Sequence, residues 1–395
     1  MDLTLHIGGE KTGTTTLQSF LYANRKALER RGLFRIDAVG QPDSRLLATL
    51  AMRDDRCDES HARLRLLDVN ARRAMTEKTA RAIARTASRL PAGARIVVSS
   101  EHLQSRLWHQ DEVSAVKDML TPFAGRIRVV CYLRRQVDLA VSFYATQLRA
   151  GVPASGPLPH DPLSRNFYRY DQVLERWANV FGDAAMDVRI FEPEALVGDD
   201  IVTDFLSKLG VDDLRGLSRP PVQNRNLSPA AVQFLERVVP AFPRRIDGAP
   251  NPDRGRLHLL LAERFPGRGL MPSQAAARAF QAQFEEINET IRARWLPDRA
   301  QLFSEDFSTY PETEAEPLSL DETIEIATAM WAEIEYLSAE IARRDGKTTR
   351  ALWKARNALA LAPGHAGATH LTTRLEKYRG AAGPLLSRLG KALRR

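Results

Sequence analysis

At 395 residues, with 44% hydrophobic and 27% charged residues, the chain can bury a full core and is too apolar for disorder to be the expectation. The net charge of +8 favours anionic ligands such as phosphate, sulfate or acidic glycans, yet no long basic run with interleaved aromatics occurs, so nucleic acid is not the expected partner. Only Cys57 and Cys131 are present, which argues against a disulfide framework or a cysteine metal site and fits a reducing compartment.

The first predicted element is an apolar strand, Leu3 to Ile7. Met1-Asp2 leads straight into it without a basic and then apolar leader pattern, and no stretch approaches the ~18 apolar residues of a membrane span. The expectation is a soluble, cytoplasmic protein. Next comes the loop Gly8-Gly9-Glu10-Lys11-Thr12-Gly13-Thr14-Thr15-Thr16, and then an amphipathic helix from Thr14 to Arg31 with Leu17, Phe20, Leu21, Ala27 and Leu28 on one face and Gly32 as its stop. Glycines let the backbone turn tightly and gather N–H groups, and the following helix aims the positive end of its dipole at the same place. An anion is expected there.

Residues 43 to 90 read as helical and end at Pro91-Ala92-Gly93. Arg95 to Ser99 suits a buried parallel strand, a helical segment carrying Val113, Val116 and Leu120 leads to Pro122, and Ile127 to Leu133 is the next strand, followed by a helix from Val137 to Arg149. Strand and helix units in succession predict an α/β fold: a P-loop-like parallel sheet flanked by helices.

Gly151 to Ser164 holds several Pro and Gly residues and reads as a loop, a candidate lid. Tyr170 to Phe181 is a helix, Asp187 to Phe191 a strand, and Asp200 to Leu209 a helix stopped by Gly210. Ser228 is a good N-cap with Pro229 at the first helical position, and helix is expected with breaks to Trp295. Beyond Pro311 the chain is again helical: Asp321 to Arg344, Thr348 to Leu361 and His365 to Tyr378, the last two resembling one tetratricopeptide-like pair. A single unit cannot bury both faces, so it is expected to pack on the main domain or on a protein partner. The basic tail, Arg388 to Arg395, is expected to be frayed.

In a Walker A loop, Gly-Lys-Ser/Thr would close the motif. Here Lys11 precedes Gly13 by two positions and three threonines follow. That order resembles the 5′-phosphosulfate loop of the PAPS-dependent sulfotransferases, whose bacterial carbohydrate-type members often start with a similar strand, Lys-Thr-Gly-Thr-Thr and helix. The resemblance implies a PAPS cofactor, with PAP as product, held at its 5′ end by Lys11, Thr12, Gly13, Thr14 and Thr15. The segment Val129 to Ser142 is similar to the family's 3′-phosphate motif, in which an arginine leaves a strand and a serine follows eight positions later; here these are Arg134 and Ser142. Arg offers a bidentate fork to a phosphate and Ser a hydroxyl from the helix above.

The resemblance continues through Tyr170 to Gly182, Phe191-Glu192, Phe205-Leu206, Asn224 to Pro229 and Leu302 to Phe307. It implies a sulfotransferase domain over residues 1 to 315, with the core to about 215 and a helical completion from about 216 to 315, and a helical extension over 316 to 395. Glu10 stands where the family often has proline, which places a carboxylate near the expected phosphosulfate and puts cofactor affinity in question.

Sulfuryl transfer needs an acceptor hydroxyl to lose its proton and a phosphate oxygen to be stabilised as it leaves. Lys11 is the expected leaving-group stabiliser. Ser99-Ser100-Glu101-His102 lies at the carboxyl end of a strand, where ligands of α/β sheets bind, so Glu101 is the first candidate for the base and His102 the second. The family often shows Ser-Ser-Glu here, and other branches a histidine. His6, inside the first strand, reads as a packed residue. Lysine, arginine and helix ends supply the positive charge, so no metal is expected. Trp108, Tyr144 and Trp177 could stack on sugar faces, and the acceptor is expected to be a glycan hydroxyl. Two other readings stand beside this one. A P-loop kinase or NTPase would need Mg²⁺ and a strand-end Asp, where this chain has Arg134; a non-catalytic interaction scaffold would use the C-terminal helices.

Overall fold

The computed structural model describes residues 1–219, 226–242, 245–246 and 249–377. Asn224, Arg225, Tyr378 and the Arg388–Arg395 tail, all part of sequence expectations, lie outside the described residues.

Five parallel strands form the main sheet: β1 (Asp2–Gly8), β2 (Leu33–Arg35), β3 (Arg95–Ser99), β4 (Arg126–Leu133) and β5 (Met186–Ile190), in the spatial order β2-β3-β1-β4-β5. Leu3, Leu5 and Ile7 of β1 are buried, as are Ile96, Val97 and Val98 of β3 and Val129 to Leu133 of β4. Near-continuous apolar runs of this kind need cover on both faces, which helices between parallel strands provide. The α/β class expected from the sequence is what forms. Because β1 is central, with β3 on one side and β4 on the other, the chain reverses its direction of winding there, and the loop after β1 opens at the switch point of the sheet.

The edge strand β2 was not expected from the sequence. It is three residues long, too short for a period, and it depends on a break in the first helix. The expected Thr14 to Arg31 helix divides at Asn24 into Thr14–Ala23 and Arg25–Glu29. The Asn24 side chain donates to the Phe20 and Ser218 carbonyls at 2.9 and 2.8 Å and accepts from the Ser218 N–H at 2.8 Å, so a remote loop holds the break. Residues 43 to 90 form three helices, Arg45–Ala51, Glu59–Leu64 and Val69–Ala87.

The chain divides into two compact units. The first (Met1–Tyr144, Gly156–Asn224, Pro272–Thr313) contains the sheet. Between the sheet and its helices runs a core that includes Leu17, Phe20, Leu21, Tyr132, Phe205 and Leu206. The second unit (Ala145–Ser155, Arg225–Met271, Glu314–Arg395) gathers the C-terminal helices with part of the segment expected to complete the sheet domain. In it Leu320–Arg344 and Thr348–Leu361 are helices, residues 366–377 are helical, and Ala339, Ala351, Ala355 and Leu371 form a small-residue core. Among the described residues no helix is long and apolar enough to cross a membrane.

Candidate functional site

The loop between β1 and the Thr14–Ala23 helix is shaped by two glycines. A side chain at Gly9 would overlap the Tyr132 carbonyl oxygen of β4, so only glycine lets the loop run this close to the neighbouring strand. Gly13, at φ +74°, takes the left-handed conformation and caps the helix without a side-chain acceptor. The first intrahelical bond runs from the Leu17 N–H to the Gly13 carbonyl at 3.0 Å, and the N–H groups of Thr14, Thr15 and Thr16 have no acceptor among the described residues. Such a helix start, backed by its dipole, is built to receive an anion.

The threonines divide their roles. Thr12 and Thr14 are buried, and their hydroxyls donate to the Gly9 carbonyl at 2.7 and 3.3 Å, bracing the loop from within. Thr15 and Thr16 are exposed. Lys11 is half-buried at φ +64°, a conformation costing a non-glycine residue about 1 kcal/mol or more. Arg134 holds it there: its guanidinium donates to the Lys11 carbonyl at 2.7 Å.

Arg134 leaves β4 and packs with its guanidinium 5.8 Å from the Phe191 ring centre. It has no carboxylate partner within ion-pair distance among the described residues, and burial pushes its pKa down from the ordinary arginine value. The Asp138 carboxylate offsets part of that burial from beyond ion-pair distance, and a desolvated cation of this kind favours an anion or water beside it. Its neighbour Arg135 is employed differently. That side chain makes a two-pronged contact with Asp138 at 3.1 and 3.2 Å, donates to the carbonyls of Ser304 and Asp306 at 3.0 and 2.6 Å, and lies over the Phe307 ring at 4.6 Å. Asp138 also accepts from the Tyr310 hydroxyl, so Arg135 clamps the 304–310 segment. Ser142 is half-buried on the Gln136–Arg149 helix, four residues beyond Asp138 and on the same face.

Gln136, next in sequence, is fully buried. It donates to Asn288 at 2.6 Å and accepts from Gln281 at 2.7 Å, and both of these residues line a cavity of about 560 Å³ beside Ser304 and Phe307.

On the other side of β1, β3 ends at Ser99, and Glu101 opens the short His102–Arg106 helix. A side chain at Gly8 would overlap Glu101, so the start of the loop and the candidate base are in direct contact. The Glu101 carboxylate accepts from the Gln18 amide at 2.7 Å, and the same amide reaches the Ser99 carbonyl at 3.3 Å. His102 has its Nε2 3.9 Å from Glu101 and 3.8 Å from Asp43, and the nearby imidazole holds the Asp43 carboxyl below the usual carboxylate range. The Nδ1 atom of His102 and the hydroxyl of Ser100 are buried without a hydrogen-bond partner. Orphaned polar atoms of this kind mark a place where a ligand or water completes the bonding.

Lys11, Glu101 and His102 are thus positioned from the carboxyl ends of adjacent strands, and Arg134 from the strand on the far side. Gln18, Gln104 and Asp43 were not singled out from the sequence. Gln18 carried a signal, a polar residue four positions after Thr14 on the buried face of an amphipathic helix. Gln104 accepts from the Glu10 N–H at 3.1 Å, and neither it nor Asp43 has a local pattern that marks it.

Two expected sugar-stacking residues are core instead. Trp177 is fully buried and stacks on Phe181 at 5.6 Å, and Tyr144 is buried as well. Trp108 is 44% exposed, but the Arg56 guanidinium lies over it at 4.0 Å. His6 is a packed residue, as expected: its Nδ1 lies 2.8 Å from the Ser99 hydroxyl, its ring abuts Tyr132 and Phe205, and burial pushes its pKa down to about 3.

No family model matches the chain. An uncharacterised protein of Archaeoglobus fulgidus is 25% identical over 111 residues, which is 28% of this chain and 30% of that protein. The crystal structure of a sulfotransferase from Alicyclobacillus acidocaldarius aligns with 64% of this chain and 93% of its own, at 17% identity and a TM-score of 0.35.

Proposed function

We propose that the protein is a PAPS-dependent sulfotransferase that sulfates a hydroxyl, with a glycan as the preferred acceptor class. One observation supports this reading: the 2.7 Å bond from the desolvated Arg134 guanidinium to the Lys11 carbonyl ties a second cationic group to the open helix start. A nucleotide with phosphate groups at both its 5′ and 3′ positions would use the two together.

The donor brings an electrophilic sulfuryl group on its 5′-phosphate. In this reading the N–H groups of Thr14, Thr15 and Thr16 bind that phosphate, with Lys11 beside the oxygen that gains charge as the S–O bond breaks. Arg134 and Ser142 receive the 3′-phosphate. Glu101 takes the acceptor's proton, Gln18 orients its carboxylate, and His102, between Glu101 and Asp43, is the alternative base. The acceptor oxygen gains the sulfuryl group and PAP leaves.

The test is to incubate the full chain with labelled PAPS and panels of glycan, lipid and phenolic acceptors, beside Lys11→Ala. Label entering one acceptor class, with transfer about two to four orders of magnitude slower in Lys11→Ala and an unchanged circular dichroism spectrum, is the expected result. Near-normal transfer by Lys11→Ala removes the leaving-group role. Magnesium-dependent affinity for ATP above that for PAP overturns the reading in favour of a kinase.

A further inference from the structure

The Leu320–Arg344 helix has two apolar faces, and only one is used within its own unit. Ala332, Glu335, Ala339 and Ala342 are buried, and Ala339 and Ala342 pack with Ala351 and Ala355 of the next helix. The other face carries Ile324, Ala327, Trp331, Ile334, Ser338 and Ile341, spaced three and four residues apart in alternation. Ile324, Trp331, Ile334 and Ile341 are 53%, 57%, 48% and 61% exposed, levels far above those of a packed seam. That spacing is the heptad repeat of a coiled coil, in which each apolar residue seats between residues of a facing helix.

We propose that this face pairs with the same helix of a second copy of the chain, antiparallel about a two-fold axis. Under that symmetry one register matches side chains by size at every level: Ile324 meets the partner's Ile341, Ala327 the partner's Ser338, and Trp331 the partner's Ile334. Large faces large and small faces small, and the two-fold makes each match occur twice. Charge selects the same direction. Asp321, Glu322 and Glu325 lie at one end of the helix and Arg343 and Arg344 at the other, so antiparallel copies set acidic against basic ends while parallel copies set like against like. The seam from Ile324 to Ile341 is about 26 Å long at 1.5 Å per residue.

Sedimentation of the full chain from about 1 to about 100 µM reads the proposal directly. A monomer–dimer equilibrium is expected, and Trp331→Glu/Ile334→Lys should be monomeric with an unchanged circular dichroism spectrum. Should that pair impair folding, Trp331→Gln alone should weaken dimerisation at least tenfold. Direction is read by disulfide trapping in a Cys57→Ser background, which removes the exposed thiol and leaves only the buried Cys131. Chains carrying Ile324→Cys should cross-link with chains carrying Ile341→Cys and not with themselves. A full chain that stays monomeric, or a dimer that survives Trp331→Glu/Ile334→Lys, overturns the proposal. Self-cross-linking of either single variant overturns the antiparallel arrangement. If a monomeric full chain becomes dimeric on removal of residues 378–395, the occupant of the face is the chain's own terminus and the proposal is wrong.

Discussion

A glycine and an arginine on different elements together set the conformation of Lys11. Gly9 brings the loop against the Tyr132 carbonyl, and Arg134 grips the Lys11 carbonyl from the end of β4. The left-handed backbone at Lys11 is therefore held by tertiary contacts, which is how such strain persists in a folded chain. Gln18 acts in the same way on Glu101. Replacing it by methionine removes the 2.7 Å donor to the carboxylate and with it the amide that orients Glu101. With Glu101 as the proposed base, kcat should fall about tenfold, and an unchanged kcat would show that Gln18 does not position it. His6 supplies a stability prediction. Burial lowers its pKa to about 3 in the folded state, against about 6.5 when unfolded, so the folded protein binds fewer protons. Its contribution is whole above pH 6.5 and is lost as the pH falls from there toward 3. Urea unfolding of His6→Gln should lose less stability than the parent between pH 6.5 and pH 5, where the parent's His6 contributes a slope approaching about 1.4 kcal/mol per pH unit.

At the scale of elements, the strap formed by residues 304–310 depends on one side chain. Arg135 satisfies two of its carbonyls and pairs with Asp138, which also accepts from Tyr310. Arg135→Met keeps much of the aliphatic packing and removes the two carbonyl bonds and the Asp138 pair, leaving the Tyr310 bond to Asp138, so it should cost about 2–4 kcal/mol. Amide exchange should accelerate first in the 304–310 strap, and uniform loss of protection would show that the clamp is not local. The candidate base is also an elemental feature. Ser99-Ser100-Glu101-His102 was legible because a strand end in an α/β sheet is a privileged place. Asp43 was not, because a carboxylate in a polar turn 59 residues before His102 has no periodicity, and only the folded chain brings it within 3.8 Å of that imidazole.

For the whole molecule, the division into two compact units predicts unfolding that is not two-state. The calorimetric enthalpy should exceed the van't Hoff enthalpy, whereas equal values would mean that the units melt as one. The unit boundaries show where sequence order misleads. Residues 225–271, expected to complete the sheet domain, group instead with the C-terminal helices, because compactness follows which apolar faces meet and the chain revisits each unit more than once.

The sequence by itself determined the parallel α/β class, the position of the glycine- and threonine-rich loop and the places of Lys11, Glu101 and Arg134 at strand ends. Each follows from local pattern: apolar runs of strand length, glycines at a turn, a helix beginning where a strand stops. Tertiary structure alone decided the rest. It assigned Arg134 to the Lys11 carbonyl and Arg135 to the 304–310 strap, although the two are adjacent and chemically identical, because the direction in which each leaves β4 decides what it can reach. It buried Trp177 and Tyr144 in the core, since an aromatic ring looks the same in a sequence whether it faces a sugar or a neighbouring helix. It also added Gln18, Gln104 and Asp43 to the candidate site, through partners 59 to 94 residues away.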